Sequence, residues 1–210
     1  MKTVSVFLVA LSIARVAASP AAAAATALTG QEQRIVVAAT AENDRSIALL
    51  EKMVDINSGT MNFAGVERVG RIMMAELQPL GFSVEWKPMS AVGRAGLVIA
   101  THAAAQARGD SDHGKRVLLV GHLDTVFELD SPFQRYERHG NMAEGPGTND
   151  MKDGLAIMVG ALRALQAAGA LAQADITIVL AGDEEDAGNP LAQARADLIE
   201  AGARSDVALE

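Results

Sequence analysis

Two kinds of apolar patterning alternate along the chain. In residues 31–56, Ile35, Val36, Ile47, Leu49, Leu50, Met53 and Val54 return at helical intervals, which predicts a helix. The turn cluster Asn57-Ser58-Gly59-Thr60 stops it. A second helix is predicted over 62–77, with Val66, Val69, Ile72 and Met73 on one face and Pro79 and Gly81 closing it. Residues 82–86 alternate as a half-buried strand, and 96–101 form a second strand. The polar stretch 106–115, with Gly109, Asp110 and Gly114, reads as a loop.

The pattern then changes. Residues 116–121 and 175–182 are short, continuous apolar runs, and 205–209 begins a third. Such runs suit strands buried on both faces of a parallel sheet. Between the first two lies a helical stretch, 150–168, with Leu155, Met158, Leu162 and Leu165 on one face and Gly169 as its stop. Between the second and third lies 190–200, opened by Pro190 and stopped by Gly202. Strand, helix, strand, helix, strand predicts an α/β fold: an open, mostly parallel sheet flanked by helices. No internal repeat is visible.

The N-terminus has a different character. Lys2 precedes an apolar run from Val4 to Ile13, and an Ala-rich stretch follows, ending near Ala25-Thr26-Ala27. This describes a secretory signal peptide over 1–27. An uncleaved anchor or an ordinary N-terminal helix is the alternative. The run is shorter than the roughly 20 residues that span a bilayer. The expectation is export, to a bacterial periplasm, of a folded part beginning at residue 28, with no membrane attachment after signal removal.

Composition narrows the chemistry. With no cysteine, disulfides, thiolate metal sites and cysteine nucleophiles are excluded, so a transition-metal site must use His, Asp and Glu. Asp and Glu number 26 against 18 Lys and Arg, a net charge of −8. That balance opposes binding to a phosphate backbone, and five Phe, one Trp and one Tyr are few for stacking on bases. No nucleic-acid partner is expected. No Gly-Lys-Ser/Thr follows the glycines near Gly145, and no Gly-x-Ser-x-Gly elbow exists.

In open α/β sheets, ligands sit beyond the carboxyl ends of the strands. After the first central run comes His122-Leu123-Asp124, and after the second Asp183-Glu184-Glu185-Asp186. The intervening helix opens with Asn149-Asp150-Met151-Lys152, preceded by Gly145-Pro146-Gly147. His122 and Asp124, two apart in extended chain, share a face. They read as a metal ligand and the carboxylate that takes its second ring N–H, or as a strand-end His capping backbone. Asp150 at a helix start can bridge two cations or serve as a plain N-cap. Glu184 and Glu185 point to opposite sides unless the chain turns there. One can hold a metal while the other faces a water, or both belong to a solvated acidic loop. His102, His113 and His139 lie in loop-like stretches and read as solvated, and Met73, Met74 and Met158 fit helix packing.

Three strings, Gly121-His122-Leu123-Asp124-Thr125-Val126, Gly145-Pro146-Gly147-Thr148-Asn149-Asp150-Met151-Lys152 and Gly182-Asp183-Glu184-Glu185, occur in an order and spacing that resemble a known family. It is the family of zinc-dependent metallopeptidases that includes glutamate carboxypeptidase, aminoacylase and succinyl-diaminopimelate desuccinylase. The resemblance implies a phosphorylase/hydrolase-like catalytic domain binding two Zn2+, or another divalent ion such as Co2+. It implies that His122 binds one metal, Asp150 bridges both, Glu185 binds the second, Glu184 is the general base and Asp124 orients His122. It implies hydrolysis of a small peptide or N-acyl amino acid, most closely in the manner of a glutamate carboxypeptidase. The alternative is a non-catalytic metal-binding fragment or scaffold on the same fold.

The chain departs from the family pattern at Asp153-Gly154, where Gly-Gly is usual, and at Asp186-Ala187-Gly188 after the Glu pair. The family also has a further metal-binding carboxylate after the next strand, a final His, and a small lid domain through which such enzymes commonly form homodimers. These are expected beyond Glu210, which comes too early to be assigned the carboxylate's role. Residues 28–210 are therefore expected to be a partial catalytic domain, lacking the lid and inactive alone.

Overall fold

The computed structural model describes residues 27–105 and 114–210. The expected signal peptide, save Ala27, and residues 106–113 of the polar stretch, His113 included, lie outside the described residues. In chain order, three helices come first: α1 (Gly30–Ala41), α2 (Asn43–Val54) and α3 (Phe63–Leu77). The strands β1 (Ser83–Pro88), β2 (Gly96–His102) and β3 (Arg116–His122) follow, then the short pair β4 (Glu137–His139) and β5 (Met142–Glu144). The remainder is α4 (Lys152–Ala167), β6 (Asp175–Ala181), α5 (Leu191–Ala194), α6 (Ala196–Ala203) and β7 (Val207–Leu209).

The two continuous apolar runs lie side by side at the centre of a sheet ordered β1-β2-β6-β3-β7. β3 pairs parallel with β6 from Arg116↔Asp175 to His122↔Ala181, and parallel with β7 on its other side. β2 is antiparallel to β6, and β1 antiparallel to β2. Only β2 therefore runs against the other four, and the sheet is open and mostly parallel as expected. Alternation along β2 separates two cores. Val98 and Ala100 join α3 and α4 in the larger one, with Val69, Met73, Leu155, Val159 and Ile178. Leu97 and Ile99 face a smaller cluster with Met89, Val92 and Ala194. Among the described residues, no helix is long and apolar enough to cross a membrane.

The structure corrects the predicted elements in three places. The helix expected over 31–56 is two helices. α1 ends at Glu42, whose carboxylate is taken by Arg45 and by Arg163 of α4, and α2 then buries Leu49, Met53 and Val54. The helix expected over 190–200 breaks at Arg195. Its guanidinium is drawn to the fully buried Asp183, Nη1 donating to both carboxylate oxygens at 2.8 Å and Nη2 to the backbone carbonyl at 2.9 Å. The hairpin β4–β5 was not predicted. Its strands are three residues each and exposed, so no buried face imposes an alternation. His102 also differs from its expected solvated state. It ends β2, half-buried against Phe82, with Nδ1 2.9 Å from the Ala174 carbonyl. His139 is exposed, and Glu210 lies exposed just past β7.

Asp183 leads into the acidic loop, so its pairing fixes where that loop begins. Removing one partner of a buried ion pair leaves an uncompensated charge. Arg195→Ala is expected to lower the unfolding free energy by about 3 kcal/mol or more, read as the shift in a urea denaturation curve. A loss below about 0.5 kcal/mol would show that the Gly188 N–H, which also donates to Asp183 at 2.8 Å, satisfies the carboxylate alone.

Candidate metal centre

The parallel register brings the ends of β3 and β6 together, and the Leu123 N–H donates to the Ala181 carbonyl at 2.7 Å just beyond the last rung. His122, the last residue of β3, is 5% exposed. Its Nδ1 lies 3.1 Å from the backbone carbonyl of Asp124 and 3.4 Å from Oδ1 of that residue. Its Nε2 lies 2.9 Å from Asp150 Oδ1. The ring thus has an inner nitrogen held by Asp124 and an outer one facing Asp150.

Asp124 is completely buried. Its Oδ2 accepts from the Thr60 hydroxyl at 2.7 Å and from the Glu185 N–H at 3.1 Å, and its Oδ1 accepts from the Glu184 N–H at 3.1 Å. The carboxylate expected to orient His122 therefore also grips the backbone of the Glu pair. The chain turns directly after β6, so the two adjacent carboxylates do not diverge as they would in a strand. Ligand atoms of His122, Glu184 and Glu185 lie within 4.8 Å of one another.

Asp150 does not cap α4. The capping position is Met151, with no side-chain cap bond, and the Asp150 carboxylate, 71% exposed, turns to His122 instead. Asp150 and Glu185 line an open cleft of about 380 Å³ whose other wall includes Phe127 and Phe133, their rings 5.0 Å apart. A second trio, Glu137, His139 and Glu144, gathers on the β4–β5 hairpin, but every member is exposed.

Two residues at this site were missed in the sequence. Thr60 sits in a segment whose composition signals only a turn. Lys152 is 1% exposed, with Nζ donating to the Ile56 carbonyl at 3.0 Å. Burial pushes its pKa down to about 8. A cation in the first turn of a helix opposes the helix dipole, and that misfit was the available signal that Lys152 has a partner elsewhere.

The electrostatics follow from crowding. Burial pulls the His122 pKa down. The hydrogen bonds to Asp124 and Asp150 and the negative charges of Asp124 and Glu184 outweigh it and raise the pKa to about 9. Burial pushes Asp124 up, but the bonds from His122, Thr60 and the two amides leave it below its ordinary value. Glu185 is raised by burial and by the carboxylates of Asp150, Asp124 and Glu184, against the opposing charge of His122.

A buried imidazole at the end of a parallel strand, facing carboxylates from three junctions, defines a class: an α/β domain whose nitrogen and oxygen donors could hold a metal ion. Comparison with known proteins places it further. Residues 118–208 match the peptidase family M20/M25/M40. Carboxypeptidase G2 of Pseudomonas sp. (strain RS-16) is 36% identical over 167 residues, which are 77% of this chain and 38% of that protein. The di-peptidase Dug1p of Saccharomyces cerevisiae shares the fold with a TM-score of 0.60 at 16% identity, over 83% of this chain and 38% of its own. Human carnosine dipeptidase 1 does so with a TM-score of 0.59 at 20% identity, over 84% and 40%. The match over 118–208 and the 36% identity support placing the chain with the M20/M25/M40 peptidases. The chain spans about two-fifths of the length of these relatives.

The raised pKa of His122 makes stability depend on pH. Below its ordinary value of 6.5 the folded and unfolded states both hold the proton, and the stabilisation is fully present. Between 6.5 and about 9 only the folded state keeps it, so stability falls as pH rises. Lys152, depressed to about 8, acts in the opposite sense only above that value. For the metal-free protein, urea denaturation is expected to show a loss of about 1–2 kcal/mol between pH 6.5 and 8. His122→Asn should flatten the slope, and an unchanged slope in that variant would assign it to another group.

Proposed function

We propose that this chain is the metal-binding part of a hydrolase of amide bonds, acting on small peptides or N-acyl amino acids in the manner of a glutamate-carboxypeptidase-like exopeptidase. The observation that carries this reading is the meeting of His122, Asp150, Glu184 and Glu185 at the ends of β3 and β6, on a chain whose residues 118–208 match the M20/M25/M40 peptidases. The donor set suits zinc, which takes imidazole and carboxylate. Two ions are proposed, with Co2+ able to replace Zn2+.

His122 offers Nε2, because Nδ1 is turned inward to Asp124. Asp150 offers two oxygens and is suited to bridging, and Glu185 holds the second ion. Bound zinc supplies Lewis acidity toward the amide carbonyl and makes water a stronger acid. Glu184, whose backbone is fixed by Asp124 while its side chain stays exposed, takes the proton from the attacking water and delivers it to the leaving nitrogen. Asp124 remains a buried anion that holds the inner nitrogen of His122.

Catalytic zinc usually takes three protein ligands, and these three side chains are shared between two ions. We therefore propose that the 210 residues alone bind zinc weakly and turn over no substrate. The remaining ligands and a dimerising lid would belong to a longer enzyme. Export by the segment 1–27 to a periplasm, and the absence of nucleic-acid and membrane partners, belong to the same reading.

The test has two arms. Calorimetric zinc titration of this chain is expected to lose affinity at least tenfold in His122→Ala and in Glu185→Ala, and to change little in Glu184→Gln. In the full-length enzyme with added zinc, Glu184→Gln is expected to slow hydrolysis of a peptidyl or N-acyl glutamate by about 10²–10⁴-fold. Undiminished turnover in that variant would rule out Glu184 as the base. Zinc binding without turnover of any amide by the full-length protein would favour a metal-binding scaffold.

A further inference from the structure

Thr60 is far from the metal centre in sequence and has no donor atom in it. Yet its hydroxyl makes the shortest of the four contacts that converge on the Asp124 carboxylate, at 2.7 Å against 3.1 Å for each of the two amides and 3.4 Å for His122 Nδ1. Thr60 is 2% exposed and Asp124 wholly buried, so water cannot replace either partner.

The hydroxyl is also held in place. The Thr60 N–H donates to the Thr125 carbonyl at 3.2 Å, and the Thr125 N–H donates to the Ser58 carbonyl at 2.9 Å. The Asn57 amide donates to the Phe127 carbonyl at 2.9 Å and to Gln134 Oε1 at 2.7 Å. At Gly59 a side chain would meet the Glu128 backbone at 2.6 Å, so the two segments approach only because that position is glycine. Residues 57–60 form an arm clamped to the loop after β3, with the Thr60 hydroxyl at its end.

The Asp124 carboxylate has a competing partner. Oδ1 stands 3.4 Å from His122 Nδ1, a long contact that a small rotation would shorten. Without Thr60, turning toward the ring would satisfy part of the charge at the expense of the Glu184 and Glu185 amides. With Thr60 anchoring Oδ2, the carboxylate keeps its bonds to both amides.

We propose that Thr60 is a positioning residue: through the Asp124 carboxylate it sets the backbone of Glu184 and Glu185, and so the direction in which their side chains meet His122. This rests on the reading that these side chains serve a metal centre.

The test compares the chain with Thr60→Val, Thr60→Ser and, as a control for loss of a buried hydroxyl beside Asp124, Thr125→Val. Residue-resolved amide hydrogen exchange of the metal-free protein reads the grip directly, and calorimetric titration with Zn2+ alone reads its consequence. In Thr60→Val the Glu184 and Glu185 amides are expected to exchange about tenfold faster while those of β3 and β6 do not change. Zinc affinity should fall about tenfold, within the range seen when groups that orient metal ligands are removed. Thr60→Ser should restore both to within about twofold, and Thr125→Val should leave both unchanged. If Thr60→Val does not fold, Thr60→Ala carries the same comparison.

Unchanged exchange at Glu184 and Glu185 overturns the proposal. So does faster exchange with unchanged zinc affinity, or an equal effect from Thr125→Val, since either makes the role structural only. If the unmutated chain binds no zinc, the metal-centre reading fails and the proposal with it, while the exchange data still report separately whether Thr60 holds the segment.

Discussion

The ends of the central strands are organised by one buried carboxylate. An ionised Asp124 with no exposure would be strongly disfavoured unless its oxygens were saturated with donors. It gathers them from three parts of the chain: Thr60 before α3, His122 at the end of β3, and the Glu184 and Glu185 amides after β6. Hydrogen bonds to a charged acceptor are stronger than neutral ones. The requirement to satisfy this anion therefore joins three segments that the sheet alone only brings near.

How much of this was legible depends on the physical property each signal encodes. The runs at 116–121 and 175–182 announced strands buried on both faces, because burial on both sides removes polar positions from the pattern. They lie at the centre of the sheet, one residue longer in β3 and one shorter in β6 than expected. The same runs pointed to where chemistry would sit, since the residues just past the carboxyl ends of parallel strands gather at one sheet edge. The helix breaks at Glu42 and Arg195 were not legible. Each is set by an ion pair with a side chain on another element, and helical periodicity reports only a face.

Within the site, the same limit separates the residues that were found from those that were missed. His122, Asp150, Glu184 and Glu185 are chemically marked residues at strand or helix ends, and the structure brings them together. Thr60 is marked only as a turn residue. Its partner is 64 positions away, and nothing in Asn57-Ser58-Gly59-Thr60 says which hydroxyl turns inward. Strand geometry sends Glu184 and Glu185 to opposite sides unless the chain turns there, and the sequence does not say whether it turns. That geometry ends at Ala181, and the donors to Asp124 are backbone amides, which every sequence has and which therefore carry no signal.

The acidic loop shows how the fold reserves charge at this edge. Of its four carboxylates, Asp183 is paired with Arg195, and Asp186 with Arg94 at 2.7 Å. Lys152, two residues from Asp150, is withdrawn into the interior and bound to the Ile56 carbonyl. Among the described residues, no Lys or Arg pairs with Asp150, Glu184 or Glu185, and His122 is the positive group that faces them. Arg195 and Arg94 are thus committed to the structural acids and Lys152 to a backbone carbonyl, and the carboxylates that crowd the imidazole are left short of positive charge. Glu185 shows the consequence: burial and the neighbouring carboxylates raise its pKa against the opposing charge of His122. The pairing of Asp183 and Asp186 and the lack of it among the described residues at Glu184 and Glu185 distinguish, within one run of four acidic residues, the charges that hold the fold from those left facing His122 at the candidate site.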